Sequence, residues 1–112
     1  MNHVRIKVND KAYAIESSCV MEIVPLVTLE PPGEHDYFYT GKMHYHGDLV
    51  PVIDLCMLLA GRPHQNKFST RILITQIKSK RIGLIAESVT DLVPEQEINE
   101  KLELEALLAG CI

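Results

Sequence analysis

Residues 41–55 read GKMHYHGDLVPVIDL. KMHYH and LVPVI are two β-prone runs on either side of Gly47-Asp48, the pattern of a hairpin in which Gly47 takes the positive-φ position that other residues avoid. Pro51 interrupts the second run. It has no N–H to give a ladder, so it belongs at an edge position or a bulge. Asp54 is suited to cap a short helix, LCMLLA, and Gly61 followed by Pro63 stops it.

The same logic extends in both directions. VRIKV (4–8) alternates apolar and charged residues, Asn9-Asp10 is a turn, and KAYAI returns, so the chain opens with a hairpin. Ser17 and Ser18 are good helix N-caps, and CVMEI is expected to form a short helical turn behind them. VPLVTL (24–29) is expected as strand. Pro31-Pro32-Gly33 breaks it, and EHDYFY reads as a connecting loop. TRILITQI and RIGLIAESV form a third hairpin across KSK, apolar enough for central strands. In EQEINEKLELEALLAG, Ile98, Leu102 and Leu108 suggest a helix while KLELE alternates like a strand, and both readings stay open. Strand-like segments at short spacing with few helical residues indicate a mainly β protein, a barrel or a pair of barrels.

Size and composition narrow the function. A chain of 112 residues fits one domain, and 46% hydrophobic with 23% charged residues describes an ordinary globular protein. Eleven basic against fifteen acidic residues give a formal charge of -4, and the one basic trio, Lys78, Lys80 and Arg81, reads as an exposed turn. That argues against nucleic acid, which needs a basic patch. Cys19, Cys56 and Cys111 are odd in number and far apart, which suits a reducing cytoplasm better than a disulfide scaffold.

Three chemical readings compete for residues 41–56. His44 and His46, placed on one strand, would share a face and could chelate a metal ion, with His35, Asp48 or His64 as a third ligand. No spacing brings any of those close, and the plain alternative is two polar residues on an exposed hairpin. Cys56 beside a histidine could be a nucleophile, but in an apolar helix a cysteine is ordinarily a small buried hydrophobe. Asp48 and Asp54 could pair as carboxylates, yet one reads as a turn residue and the other as a cap. No phosphate loop or hydrolase motif occurs. No cofactor, metal site or catalytic residue is expected, and a β protein without such a constellation commonly acts by binding.

The order of the features is more specific than any one of them. YAIESSCVMEI, then TGKMHYHGDLVPVIDL, then RILIT and RIGLIAESVTDLV followed by EQEI, resembles the CheW-like domain over roughly residues 4 to 110. That domain occurs in bacterial chemosensory coupling proteins and in the regulatory domain of their histidine kinases. Gly41, Gly47, Pro51, Asp54 and Leu55 stand where the family places a Gly, an Arg-Gly turn and a Pro-hydrophobic-hydrophobic-Asp-Leu run. Val20, Glu22 and Ile23 match its Val-x-Glu-Ile, and Gly83, Leu84, Ile85 and Glu87 its downstream Gly-hydrophobic-hydrophobic stretch.

The resemblance implies two small five-stranded β-barrels packed side by side with short helical connections. It implies a single CheW-like domain over 1–112, and a cytoplasmic, non-enzymatic adaptor that links the tips of chemoreceptors to the regulatory domain of a CheA-type histidine kinase. Carried over residue by residue, it marks Val20, Glu22, Gly41, His46 and Gly47 as contacts. Ile82, Gly83, Ile85 and Val89 form an alternative patch on the second barrel. Two departures follow. His46 stands in place of the family's arginine, which predicts a weaker or re-tuned partner surface. The family's last strand and terminal helix have no counterpart before Ile112, which predicts an open sheet edge inviting oligomerisation or strand exchange. The alternatives are a diverged scaffold in a surface-sensing or motility pathway, or a small metal-binding protein using His44 and His46.

Overall fold

A computed structural model of the chain describes residues 2–33, 39–94 and 100–109. The EHDYF part of the expected loop with His35, all of EQEIN with Ile98, and Cys111 lie outside these described residues. β1 (Asn2–Val8) and β2 (Lys11–Glu16) form the opening hairpin, with Val8 opposite Lys11. Its two-residue loop, Asn9-Asp10, has φ of 52° and 64° at the two positions. Consecutive positive φ values twist the loop in the sense the strands already have, and Asn and Asp tolerate that region better than most residues.

The next segment departs from expectation. Only Ser17–Cys19 is helical, as a 3₁₀ turn, and β3 then runs Val20–Pro25, four residues ahead of the expected strand. Serine caps favour a helix start, but Val20, Ile23 and Val24 are β-branched and gain a ladder against β6 (Arg71–Ile77), from Val20 opposite Thr75 to Pro25 opposite Arg71. Tertiary pairing outweighs the local signal.

β4 (Gly41–Tyr45), β5 (Asp48–Asp54), α1 (Leu55–Ala60), β6 and β7 (Lys80–Ala86) follow the sequence reading closely. The Asp54 carboxylate accepts from the Cys56 N–H at 3.0 Å, and Gly61 ends the helix with φ of 75°. β8 (Ser88–Pro94), β9 (Lys101–Leu102) and α2 (Leu104–Leu107) complete the described chain. Each reading of the C-terminal segment holds only in part: the strand is two residues long and includes Leu102, the helix is a single turn that Leu108 ends, and Ile98 lies outside the described residues. Among the described residues no helix is long and apolar enough to cross a membrane.

The strands form two sheets, ordered β8-β1-β2-β9 and β3-β6-β7-β5-β4. The second has the expected five strands, while the first has four among the described residues. Its β9 is a two-residue parallel strand opposite Ala14 and Ile15. The five-stranded sheet curls on itself. Its edges β3 and β4 are four strands apart in the ladder, and the segment that follows β3 crosses to β4, where Glu30 and Lys42 exchange backbone hydrogen bonds of 2.8 and 2.9 Å. β7 joins β5 only from Val52 onward, so Pro51 occupies the part of β5 that has one lateral partner.

Alternation along β5, β6 and β7 feeds two cores. Val50, Val52, Ile72, Ile74 and Ile85 fill the inside of the curled sheet. Ile53, Leu73, Ile82 and Leu84 point the other way and pack with Ile6 and Ile15 between the sheets. With both faces buried these strands are apolar throughout, and each such side chain contributes roughly 1.5–3 kcal/mol.

Glu87, after β7, ties the two sheets together. Its carboxylate accepts from the Asn9 N–H of the β1–β2 loop and from Lys67 Nζ at 3.1 Å. Burial pushes its carboxyl up, but these two bonds and the nearby Arg62 and Lys67 charges outweigh burial and hold it below the ordinary value. A carboxyl depressed in the folded state adds stability that is present above the unfolded value, about 4.3, and is lost as pH falls through the folded one. The Glu87→Gln protein is therefore expected to be less stable at neutral pH, with a gap to the parent that narrows below about pH 4.3 in urea titrations. A gap constant down to pH 3 would contradict this role.

Candidate partner-binding surface

The β4–β5 hairpin tip is built by two residues. Tyr45 pairs with Asp48, and His46 and Gly47 form the loop with φ of 50° and 84°. The turn thus lies one residue earlier than Gly47-Asp48, and Asp48 is the first residue of β5 rather than a turn residue. Gly47 has open space around it, so its requirement is conformational.

The tip is fastened to three other parts of the molecule. The Tyr45 hydroxyl donates to Glu22 Oε1 at 2.6 Å, joining β4 to β3 across the gap in the curled sheet. This hydrogen bond, with smaller desolvation and charge effects, raises the Tyr45 phenol above its ordinary value. The His46 ring stands edge-on to Tyr45 with centroids 4.3 Å apart, and its Nε2 is 3.8 Å from the same Glu22 oxygen. Arg81 of β7 pairs with Asp48 at 3.0 Å, and His44 with Glu30. The strands that carry this clasp also expose large apolar side chains: Met21 and Ile23, before and after Glu22 on β3, and Leu49 on β5 opposite His44.

Of the residues singled out in the sequence, Glu22, His46 and Gly47 come together at this exposed tip. Val20, two residues before Glu22, is half-buried against the core between the sheets. Gly41 is buried at the far end of β4. A Cβ there would come within 2.7 Å of the Glu30 carbonyl oxygen and 2.8 Å of Leu29 Cβ, so its role is to admit the crossing segment. The alternative patch needs correction. Ile82 and Ile85 are 1% and 0% exposed and fill opposite cores, and a Cβ on buried Gly83 would press on Ile72 and Val52. Val89 is half-buried on β8, in the other sheet from these three. The patch came from the resemblance alone, whereas the apolar run of RIGLIAESV already suited a central strand buried on both faces. Tyr45, Met21, Leu49 and the Asp48–Arg81 pair were not singled out. The signal available for Tyr45 was its place beside the family's arginine position.

The catalytic and metal readings meet different geometry. Among the described residues no three metal-ligating side chains cluster, and His44 and His46 each face a different carboxylate. Their shared face assumed a strand through His46, which is in fact the loop. Asp48 and Asp54 sit at opposite ends of a seven-residue strand. Cys56 is buried, and burial followed by the Asp54 and Glu87 charges pushes its thiol up, which disfavours a thiolate. Asp54 is engaged with the backbone N–H and Nδ1 of His64, at 2.9 and 2.8 Å, locking the 61–70 loop to the helix start.

Residues 2–112 match the CheW-like domain. The chain belongs to the CheW-like domain family. It is 22% identical over 108 residues to the probable chemotaxis protein CheW of Rhizobium etli, covering 89% of this chain and 70% of that protein. It is 21% identical over 90 residues to the chemotaxis protein CheW of Rhizobium meliloti, covering 80% of this chain and 58% of that one. Among solved structures it resembles the scaffolding protein TtCheW of Thermoanaerobacter tengcongensis, with a TM-score of 0.76 and 26% identity over 86% of this chain and 62% of the other. This CheW-like chain thus spans less than two-thirds of the length of two of these three relatives.

Proposed function

We propose that residues 1–112 act as one CheW-like domain, a cytoplasmic, non-enzymatic adaptor that couples chemoreceptors to a CheA-type histidine kinase. The observation that carries this reading is the hairpin tip. Tyr45, His46 and Glu22 form a polar clasp across the two edges of the curled sheet, and the strands that carry it expose Met21, Ile23 and Leu49. Apolar side chains around a fixed polar centre suit a protein–protein contact rather than chemistry. The relatives named as chemotaxis and scaffolding proteins support the same direction.

Calorimetric titration into the regulatory domain of the host's CheA-type kinase tests it. Tyr45→Phe and His46→Ala are each expected to weaken binding about fivefold, the effect of losing about 1 kcal/mol of hydrogen bonding at a contact. His46→Arg, which restores a permanent charge and a planar fork of donors, is expected to strengthen it. Binding indifferent to all three would move the contact off the tip. No binding by the parent chain would remove the kinase link.

A second property concerns the four-stranded sheet. β8 pairs only with β1 among the described residues, and β9 covers only Ala14 and Ile15 of β2. A sheet edge that pairs with no further described strand can take up a strand from another chain, and we infer oligomerisation or strand exchange there. Sedimentation at rising concentration should give a dimer or larger species in which β8 amides gain hydrogen-exchange protection. A monomer throughout would end this inference.

A further inference from the structure

A second site lies away from the hairpin tip, where β1, β2, the 3₁₀ turn, β9 and α2 meet. It is a pocket of about 220 Å³ lined by His3, Glu16, Cys19, Leu102, Glu103 and Glu105, among others. Strand register builds it: His3 stands opposite Glu16, and Leu102 opposite Ile15, the neighbour of Glu16.

His3 is 5% exposed, and its Nδ1 is buried with no hydrogen-bond partner. No other buried side-chain nitrogen or oxygen among the described residues lacks one. An unsatisfied buried polar atom costs about 1–3 kcal/mol, so its retention in a pocket wall points to a donor arriving from outside. With its proton on Nε2, a neutral imidazole offers Nδ1 as an acceptor. The carboxylates around it ask for positive charge. Glu16, Glu103 and Glu105 converge closely enough that, after burial, they help raise the Cys19 thiol. Lys78 pairs with Glu105 at 3.4 Å and Lys101 lies on the rim, so among the described residues of the pocket and this ion pair the three carboxylates outnumber the two lysines.

The acceptors are spread around the pocket rather than focused on a point, and no metal-binding cluster exists among the described residues. A planar fork of several N–H donors matches spread acceptors better than a compact ammonium does. The volume leaves room for an aliphatic stem along Leu102 and Leu104. We propose that this pocket binds a guanidinium group, with His3 Nδ1 accepting one N–H and the Glu16 and Glu103 carboxylates accepting others. The group can belong to a small guanidinium compound or to an arginine side chain of a protein.

Nuclear magnetic resonance on the whole chain distinguishes these sources. Ethylguanidinium and the blocked peptide Gly-Arg-Gly are titrated separately while the His3 ring nitrogens and the Cys19 and Leu102 amides are followed, with ethylammonium as comparator. A saturable shift of His3 Nδ1 is expected, weakened at least about tenfold in the Glu16→Gln/Glu103→Gln protein, since charge-assisted bonds are about twice as strong as neutral ones. His3→Phe, with an otherwise unchanged amide spectrum, should abolish the response. Tighter binding of the peptide assigns the site to an arginine of another protein, and tighter binding of ethylguanidinium assigns it to a small molecule. The proposal is overturned if neither probe gives a saturable His3 shift at millimolar concentration, if the double carboxylate variant responds like the parent, or if ethylammonium binds as well.

Discussion

Replacing Leu84 by alanine is expected to destabilise the protein by about 3–5 kcal/mol, the range of large-to-small changes in a packed core. Leu84 lies in the middle of β7, wholly buried, opposite Leu73 on β6 and adjacent to Ile53 on β5. Its side chain enters the core between the two sheets, where Ile6, Ile15 and Leu73 also meet. Two neighbouring strands, β6 and β5, hold the backbone, so little collapse into the vacated space is available and most of the cavity cost remains. Against a total stability of about 5–15 kcal/mol for a domain of this kind, the variant should be near its unfolding midpoint in modest urea. Leu49→Ala is the control. The same residue type, 47% exposed on β5, should change stability by less than about 0.5 kcal/mol while weakening partner binding if the tip is the contact. Equal losses at the two positions would mean that the packing between the sheets is not as described.

Gly41→Ala is expected to cost about 2–3 kcal/mol through overpacking rather than through backbone conformation. The new Cβ would lie 2.7 Å from a backbone oxygen, that of Glu30, and 2.8 Å from Leu29 Cβ, so the crossing segment itself has to move. That segment closes the curled sheet through the paired Glu30 and Lys42 hydrogen bonds. Hydrogen exchange should show the amides of Glu30 and Lys42 losing protection while those of Ile6 and Leu84 keep it. Gly61→Ala, with open space and φ of 75°, should cost only about 1–2 kcal/mol of backbone strain and leave those amides alone. Unchanged protection at Glu30 and Lys42 in Gly41→Ala would refute this role of the crossing segment.

The helix α1 was legible residue by residue, because Asp54 and Gly61 act on the backbone within a few positions of themselves. The three hairpins were legible for the same reason. The tip was read one residue late. Gly47 announces a positive φ, but whether its partner in the loop is His46 or Asp48 depends on which residues of β4 and β5 face each other, and Met43 and Val50 settle that by entering the core. β3 was misread because the serine signal is local and the ladder with β6 is made about fifty residues away in the chain.

By itself the sequence determined the mainly β class, the turns, the capped helix and the order of features that resembles the CheW-like family. These rest on short-range conformational preference, which any stretch of chain carries with it. Only the tertiary structure decided that Ile82 and Ile85 face two different cores, that Glu22 reaches Tyr45 and His46 across the curled sheet, and that His3 is buried among carboxylates. Those facts depend on which strand lies beside which. Ladder hydrogen bonds and buried area between residues distant in the chain fix that choice, and no local pattern encodes it.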